Sequence, residues 1–456
     1  MLRYFSARVL YPLAERRLGR QIRVKAEALR SQVNGNFAER RDWVGTQMAA
    51  LLERAGSEVP YYRDLFRQFH FDPLKLADDL AYLQDLPYLT KDIIREQGAR
   101  LLSERIDPAR LHMRESGGST GPSTRVYYSQ EALDWTAAVN LVSLEWAGKR
   151  LHMREMHLAS RFPEVFPWRD RLKERVKEIV LNRTNLFTDH FDPPALDNAW
   201  RRIRRARPYL IQGHPSTLYA LATRLRDTQV NARGVIDIFE STGEVLEARK
   251  REVIESVFGC RAIDRYGNAE FGVLAHERLD DPQPRLKVFD TIAWPEVALR
   301  EGRSELVFTG VRNDAMPLIR YRTGDLAELE ATDEGFYLRR LVGRVHDIVR
   351  IGDHHYPTHY LQDLLDRLGG IDEFQVVQQE GPSLLRLVVP DQGHRESIAR
   401  RIESWWGDAI RLEFTDFDGL ARRGWRSKFS HLVDSPSIAA WEAQTNGTTK
   451  GLARAG

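Results

Sequence analysis

Between about residues 22 and 70 the apolar side chains recur every three or four positions, with Met48, Leu51 and Leu52 before Ala55, which predicts amphipathic helices. The segment Val59-Pro60-Tyr61-Tyr62 breaks that period, because proline lacks an amide donor and forces the preceding residue to extend. Asp85-Leu86-Pro87 reads as a loop, and Thr90-Lys91-Asp92 as the start of a helix capped by Thr90. From Leu111 to Tyr128 the pattern is strand, Gly-rich loop, strand. Over residues 130–260 helical stretches alternate with short apolar runs such as Tyr209-Leu210-Ile211 and Val235-Ile236-Asp237-Ile238. That alternation predicts an α/β layered domain with a largely parallel sheet. From Leu286 to Leu341 the chain turns to short strands and turns, including Leu306-Val307-Phe308 and Gly335-Phe336-Tyr337-Leu338.

A boundary is expected near Gly343-Arg344. Beyond it an α+β pattern follows: a helix over 358–368, strands over 374–378 and 384–389, a helix over 394–405 and a strand over 411–415. The fold class is therefore α/β. A large multi-subdomain domain over 1–342, with mostly parallel sheets and a helical arm over 1–50, is followed by a small α+β domain over 343–456. The stretch from Gln444, rich in Gly, Thr and Ala, is expected to fray.

At 456 residues the chain exceeds one compact core, and 42% hydrophobic with 29% charged residues is a globular composition. Lys plus Arg number 68 against 65 Asp plus Glu, a formal net charge of +3, so no global field argues for nucleic acid as a partner. The single cysteine, Cys260, excludes an internal disulfide framework and any multi-cysteine zinc site; it fits a reducing cytoplasm and is expected to be buried and inert. No run of about 18 apolar residues is present.

Residues 1–25 mix Leu2, Tyr4, Phe5, Val9, Leu10 and Leu13 with Arg3, Arg8, Arg16, Arg17, Arg20 and Arg23. They lack the apolar core and cleavage site of a secretory signal. An arm packed on its own domain with arginines outward is the expected arrangement, a basic amphipathic segment on a membrane surface the alternative. Pro12 should interrupt any continuous helix there.

Four segments carry candidate chemistry. In Ser116-Gly117-Gly118-Ser119-Thr120-Gly121, three glycines among hydroxyl residues allow backbone amides to converge on an anion; alone, such a cluster reads more often as an ordinary turn. It is not a Walker loop, since no Gly-Lys-Ser/Thr ends it. Tyr266-Gly267-Asn268-Ala269-Glu270-Phe271-Gly272, preceded by Ser241-Thr242-Gly243-Glu244, offers an aromatic face for a purine and a carboxylate for Mg²⁺. Two surface loops with a solvated glutamate are the alternative. In Arg320-Tyr321-Arg322-Thr323-Gly324-Asp325-Leu326 the Asp after a Gly turn can accept from two ribose hydroxyls, while the arginines can face phosphate or carboxylate. Gly343-Arg344-Val345-His346-Asp347-Ile348, followed by Arg350-Ile351-Gly352-Asp353, sits at the expected boundary.

In this order the four segments resemble the core motifs of the adenylate-forming superfamily of acyl-CoA synthetases, luciferases and peptide-synthetase adenylation domains. Val59-Pro60-Tyr61-Tyr62-Arg63 and Leu86-Pro87-Tyr88-Leu89-Thr90-Lys91-Asp92 are similar to the phenylacetate–CoA ligase branch and its relatives from capsule and natural-product clusters. The likeness spans residues 45 to 435. It implies an ATP-dependent ligase that activates a carboxylic acid, aryl or arylacetic by analogy, as an acyl-AMP with Mg²⁺, then passes it to CoA or a carrier-protein phosphopantetheine. It also implies roles. Ser116 to Gly121 would cover the β- and γ-phosphates. Gly243, Glu244, Tyr266 and Gly267, with Asn268 and Ala269 beside them, would line the adenine pocket. Glu270 would ligate Mg²⁺, Asp325 would bind the ribose hydroxyls and Arg344 would contact ribose or phosphate. Lys428, in Arg426-Ser427-Lys428-Phe429-Ser430, matches the catalytic lysine, bridging the acyl carboxylate and the α-phosphate. Gly213 and His214 match a segment lining the acyl pocket, and Gly352 a strand-loop that meets the thiol arm. The small domain would be mobile, rotating about His346 and Asp347 between half-reactions.

The sequence departs from the pattern at Ala269, where Thr is usual, at Pro122-Ser123, at His346, where an acid is common, and at Ser427, where glycine precedes the lysine. An amide- or ester-forming ligase or acyltransferase, and a degenerate nucleotide- or acyl-CoA-binding homologue, remain alternatives. Expected partners are a small carboxylic acid and CoA or an acyl carrier protein, with a homodimer left open. His354, His355 and His359 have metal-like spacing, but structural or surface histidines are favoured.

Overall fold

The computed structural model describes residues 2–116, 124–159, 168–187, 193–300, 302–341, 348–357, 361, 364–365, 368–423 and 428–434. The chain divides into two compact units. The first takes Met1–Met153, Ile179–Asn182 and Ile263–Leu341; the second takes Arg154–Glu178, Arg183–Ala262 and Val342–Gly456.

In the first unit the helical period resolves into Ile22–Val33, Phe37–Glu58 and Pro60–Gln68. Asn36 starts the long helix, its side chain accepting from Ala38 N at 2.8 Å and Glu39 N at 3.3 Å, which satisfies two of the amides a helix start leaves open. The helix ends where expected. Val59 is extended (φ −109°, ψ 112°) ahead of Pro60, which takes the first position of the next helix, where its missing amide costs nothing. Thr90 caps Lys91–Gln97 by accepting from Ile93 N at 3.3 Å. Val44, Met48, Leu51, Leu52 and Ala55 bury one face in a core shared with Tyr62, Phe66 and Leu76, the long helix packing on Pro60–Gln68 and on the turn Pro73–Ala77. A fully buried leucine such as Leu52 contributes about 2–5 kcal/mol on the Leu→Ala scale.

The sheets of this unit are antiparallel. One runs Glu328–Thr332, Gly335–Arg339, Leu286–Val288, Gly272–Glu277, Arg265–Asn268, and another Ala293–Arg300, Arg303–Gly310, Tyr321–Leu326. The hairpin His112–Ser116 with Thr124–Tyr128 flanks the Gly-rich segment.

The arm at residues 2–17 runs as Leu2–Phe5, a π-helical turn Ser6–Leu10 and Tyr11–Arg17, with Pro12 in the first turn of the last piece. Pro12 shifts the hydrogen-bond register rather than ending the helix, because a π turn ahead of it relieves the clash with the preceding carbonyl. The arm packs on its own unit through Ser6, Tyr11 and Glu15, with Arg3, Arg8, Arg16 and Arg17 outward as expected; Tyr4, Phe5, Val9 and Leu13 are exposed as well.

In the second unit, Arg183–Phe187, Glu155–Ala159, Leu210–Gly213, Ile238–Ser241 and Arg261–Ile263 form a five-stranded sheet in that order, with parallel pairing across the first four. Helices Pro193–Ala206, Pro215–Asp227 and Ala248–Phe258 connect the strands, and Ile203, Leu218, Ile254 and Phe258 close its core. The parallel expectation for 130–260 therefore holds there. Cys260 is buried, and burial pushes its thiol up to about 12. Toward the C-terminus, Ile410–Thr415, Ser383–Val388, Glu373–Gln378 and Leu432–Asp434 form a mixed sheet, with helix Gln392–Trp406 packed through Ile398 and Ile402. These match the strands and helix expected over 374–415. Of the helix expected over 358–368, residues 361, 364 and 365 are helical and the others up to 367 lie outside the described residues. The boundary at 343 and the stretch from Gln444 also lie outside them.

Candidate functional site

In the first unit the Tyr266 and Asp325 motifs converge. Tyr266 ends up on strand Arg265–Asn268 and Asp325 on strand Tyr321–Leu326, and the buried Tyr266 hydroxyl donates to Asp325 Oδ2 at 2.8 Å. The Tyr266 ring packs beside Phe308, with centroids 6.3 Å apart. Asp325 is further ordered by Thr323, whose hydroxyl donates to Leu306 O and accepts from Asp325 N at 3.1 Å. Gly267 permits the close strand crossing: a Cβ there would lie 2.3 Å from Gly272 O.

A second tyrosine–carboxylate pair adjoins it in sequence. Glu270 lies in the turn Ala269–Phe271 and is 5% exposed; its Oε1 accepts from the Tyr321 hydroxyl at 2.7 Å. The turn is fixed by Asn268 Oδ1, which accepts from Phe271 N at 2.9 Å, and by Tyr128, whose hydroxyl donates to Ala269 O at 2.6 Å. Burial, then the Glu270 charge, pushes the Tyr128 phenol upward, against Arg114, so it stays protonated. Glu270, Phe271, Tyr128 and Trp135 also line a cavity of about 30 Å³ with Arg312, whose guanidinium burial pulls down to about 9.

The arginines of the Asp325 motif are committed elsewhere, which corrects the expectation that they face phosphate or carboxylate of a ligand. Arg320 donates to Gln84 O at 3.0 Å and to Leu86 O and pairs with Glu296 at 3.1 Å, while Arg322 pairs with Glu305. They brace the strand because the preceding turn presents the Gln84 and Leu86 carbonyls and the sheet's other strands present the Glu296 and Glu305 carboxylates.

The second unit holds the other described part of the expected adenine pocket together with the expected acyl segment. His214 precedes helix Pro215–Asp227, and Glu244 sits over that helix start. Glu244 Oε2 accepts from Ser216 N at 3.1 Å and Oε1 from Ser216 Oγ at 3.0 Å, and His214 Nδ1 lies 3.3 Å from Oε1. A carboxylate at a helix N-terminus is favoured by the open amides and the dipole. Strand pairing aligns Gly213 with Ser241, and Thr242 N donates to Gly213 O at 3.0 Å, which joins the two segments.

Gly352 stands first in the two-residue turn between Ile348–Ile351 and His354–Pro357, at φ +58°, where hairpin geometry itself favours glycine. The backbone of Ser116 closes strand His112–Ser116 and that of Lys428 lies in the short pair Arg422–Arg423 with Lys428–Phe429. Their side chains, and Gly117, Gly118, Ser119, Thr120, Gly121, Arg344, His346 and Asp347, lie outside the described residues, as does His359.

One charged cluster has no sequence signal. Lys250 on helix Ala248–Phe258 contacts Glu373 at 2.8 Å and Glu247 at 3.5 Å, and His431 Nε2 contacts Glu373 at 3.1 Å and Glu247 at 3.6 Å. The His431 ring stacks on Phe374, centroids 4.4 Å apart. Burial alone would lower the Lys250 ammonium, but Glu247, Glu373 and Glu244 hold it well above the usual lysine range. Burial likewise opposes charge on Glu373, yet Lys250 and His431 hold it down at about 2. His431 is raised because Glu247 and Glu373 outweigh its burial.

No family profile matches the chain. A phenylacetate–coenzyme A ligase of Pseudomonas putida is 27% identical over 435 residues, 84% of this chain and 91% of that one. Protein CapK of Staphylococcus aureus is 21% identical over 360 residues, 75% and 77% of the two chains. The fold is that of a 2-hydroxyisobutyryl-CoA ligase solved in its postadenylation state, with a TM-score of 0.68, 17% identity and coverage of 92% and 94%. The chain is similar in sequence to the phenylacetate–CoA ligases of the adenylate-forming ligase superfamily and shares the fold of a CoA ligase. Like that superfamily it is an α/β protein, and among the described residues no helix is long and apolar enough to cross a membrane. No group of three or more His, Cys, Asp or Glu residues able to hold a metal is present among the described residues. A buried carboxylate such as Glu270, backed by Tyr321, fits a Mg²⁺ whose other ligands are phosphate oxygens and water, the mode that ion prefers in nucleotide sites.

Proposed function

We propose that this protein is an ATP-dependent acid–thiol ligase: it forms an acyl-AMP from a carboxylic acid and passes the acyl group to CoA or a carrier-protein phosphopantetheine. The observation that carries the reading is the pair of buried tyrosine–carboxylate contacts, Tyr266–Asp325 and Tyr321–Glu270, on the two motifs that would hold ribose and Mg²⁺. A hydroxyl donor orients a carboxylate without neutralising it, leaving lone pairs for ligand hydroxyls or a cation. The relatives named as CoA ligases support the same reading.

In the first step a carboxylate oxygen attacks the α-phosphorus and the bond to pyrophosphate breaks. Asp325 would hold the ribose and Lys428 would offset charge at the α-phosphate. Glu270 would hold Mg²⁺, which supplies charge neutralisation on the departing phosphates. In the second step the thiol sulfur bonds to the acyl carbon, the acyl–oxygen bond to AMP breaks with its electron pair leaving on AMP, and the thiol proton passes to solvent. Gly213 and His214 would border the acid, Glu244 and Gly243 the adenine, and Ser116 to Gly121 the outer phosphates. The small domain would begin at 343, with His346 and Asp347 as its hinge and Arg344 against the nucleotide.

Acid-dependent ATP–pyrophosphate exchange tests this. Exchange is expected with at least one member of an aryl and arylacetic acid panel, followed by thioester formation with CoA or a pantetheinylated carrier. No exchange with any acid of a broad panel would overturn it; exchange with amide but no thioester product would move the acceptor to an amine.

A further inference from the structure

The arm at residues 2–17 is built inside out. Its buried positions are Ser6, Tyr11 and Glu15, two of them strongly polar and all hydrogen-bond formers, whereas Tyr4, Phe5, Val9 and Leu13 are 51%, 50%, 36% and 57% exposed. The inward face is satisfied by specific bonds. Ser6 Oγ donates to Ile179 O at 2.6 Å and Val180 O at 3.0 Å; Glu15 accepts from Arg23 N at 2.7 Å and pairs with the Arg23 guanidinium; Asn182 Nδ2 donates to Arg3 O at 3.3 Å. Tyr4 stacks on His152, with ring centroids 4.2 Å apart, so that ring is partly held by the fold; Phe5, Val9 and Leu13 remain exposed and cost hydration where they stand in water.

Between the apolar positions stand Arg3, Arg8, Arg16 and Arg17, all exposed. The arm's one acid is Glu15, and it is buried. The outward surface is thus apolar and cationic together. The helix whose last turn receives Ser6, Trp168–Leu181, has a similar apolar row: Trp168, Leu172, Val176 and Ile179 recur at helical spacing and are 52–64% exposed, with exposed Lys173 and Arg175 among them and Lys177 paired to exposed Glu174.

We propose that this arm is an interfacial anchor that rests on an anionic lipid bilayer. Apolar side chains at four-residue intervals enter the acyl boundary, aromatic residues such as Tyr4 sit at the headgroup level, and arginines reach the phosphates with their stems along the apolar face. Charge selects lipid over a second copy of the chain, because a symmetric pairing through this face would set its arginines against one another. The fold thereby places an acyl-activating enzyme on a surface, a role separate from the nucleotide motifs.

Co-sedimentation of the full chain with phosphatidylcholine vesicles, with and without phosphatidylglycerol, tests the inference. Binding is expected to be at least about tenfold tighter with phosphatidylglycerol and to weaken as salt rises from about 0.1 M to about 1 M, where the Debye length shortens from about 10 Å to about 3 Å. Phe5→Ser/Val9→Ser/Leu13→Ser should cut that binding by about tenfold or more, with an unchanged thermal midpoint. Should the triple variant misfold, Leu13→Ser alone is expected to give a smaller loss of the same kind. Arg3→Gln/Arg8→Gln/Arg16→Gln/Arg17→Gln should erase the preference for phosphatidylglycerol. Equal binding to both vesicles, or none to either, would overturn the proposal. So would a concentration-dependent dimer in ultracentrifugation that the triple variant dissolves while vesicle binding is absent.

Discussion

Two groups of buried or half-buried carboxylates in this molecule are held in opposite ways. Glu270 and Asp325, in the first unit, receive tyrosine hydroxyls. Glu373 and Glu247, in the second, receive the Lys250 ammonium and the His431 imidazole. A hydroxyl fixes the direction of a carboxylate and leaves its charge in place; an ammonium cancels it. The first arrangement suits a site that still has a ligand to meet, and the second suits a junction between elements whose work is finished on folding. Helix Ala248–Phe258 and strand Glu373–Gln378 are joined by that neutralised cluster, aided by Arg249 against Asp372 at 3.4 Å.

The largest effect expected from this contrast is on stability. Lys250→Met removes the cation from a fully buried Glu373 and should cost about 3–5 kcal/mol in urea unfolding, since the carboxylate is left uncompensated. Adding Glu373→Gln should recover much of that loss, because the remaining groups no longer include a stranded charge at that position. A single-variant loss below about 1 kcal/mol would place the cluster among ordinary surface pairs and erase the distinction.

Asp325→Asn should behave in the reverse manner. The amide keeps an acceptor for Tyr266, so the unfolding free energy should move by less than about 1 kcal/mol. The catalytic efficiency of ATP–pyrophosphate exchange should fall about 100-fold, equivalent to about 2.7 kcal/mol, the scale of charge-assisted bonds to two hydroxyls. Unaltered exchange with intact folding would show that Asp325 is a strand brace like Arg322.

How far the sequence reveals this contrast follows from distance along the chain. The Val59–Pro60 break, the Thr90 cap and the strand alternation near 374–378, 384–389 and 411–415 are local signals, and local sterics and hydrogen bonding decide them. The motifs around Tyr266, Glu270 and Asp325 are legible as chemistry because each is contiguous. Their pairing is not: Tyr266 and Asp325 are 59 residues apart, and Tyr321 and Glu270 are 51 apart. Lys250, Glu373 and His431 look like solvated charges in isolation, and only the docking of helix Ala248–Phe258 against strand Glu373–Gln378 makes them a cluster. The arm fails differently. Amphipathicity reveals two faces but not which one faces inward, and the bonds of Ser6 and Glu15 turned the polar face toward the protein.

The smallest effect separates the two groups by pH. Within the cluster Lys250 is raised and Glu373 is held down, and His431 is the imidazole whose proton the folded chain holds more tightly. Glu247 and Glu373 raise the folded-state value of His431 above the unfolded one of about 6.5 despite burial and the nearby Lys250. A proton held more tightly by the folded chain stabilises it below the unfolded value, and that gain disappears as pH rises through the folded value. Stability should therefore decline above about pH 6.5, by at most about 1.4 kcal/mol for each pH unit over which the folded chain holds one extra proton. His431→Gln should flatten the decline while ATP–pyrophosphate exchange at fixed pH keeps its response to Asp325→Asn. Unfolding midpoints across that pH range decide the matter: a decline that persists undiminished in His431→Gln would assign the titration elsewhere and leave the cluster held by Lys250 alone.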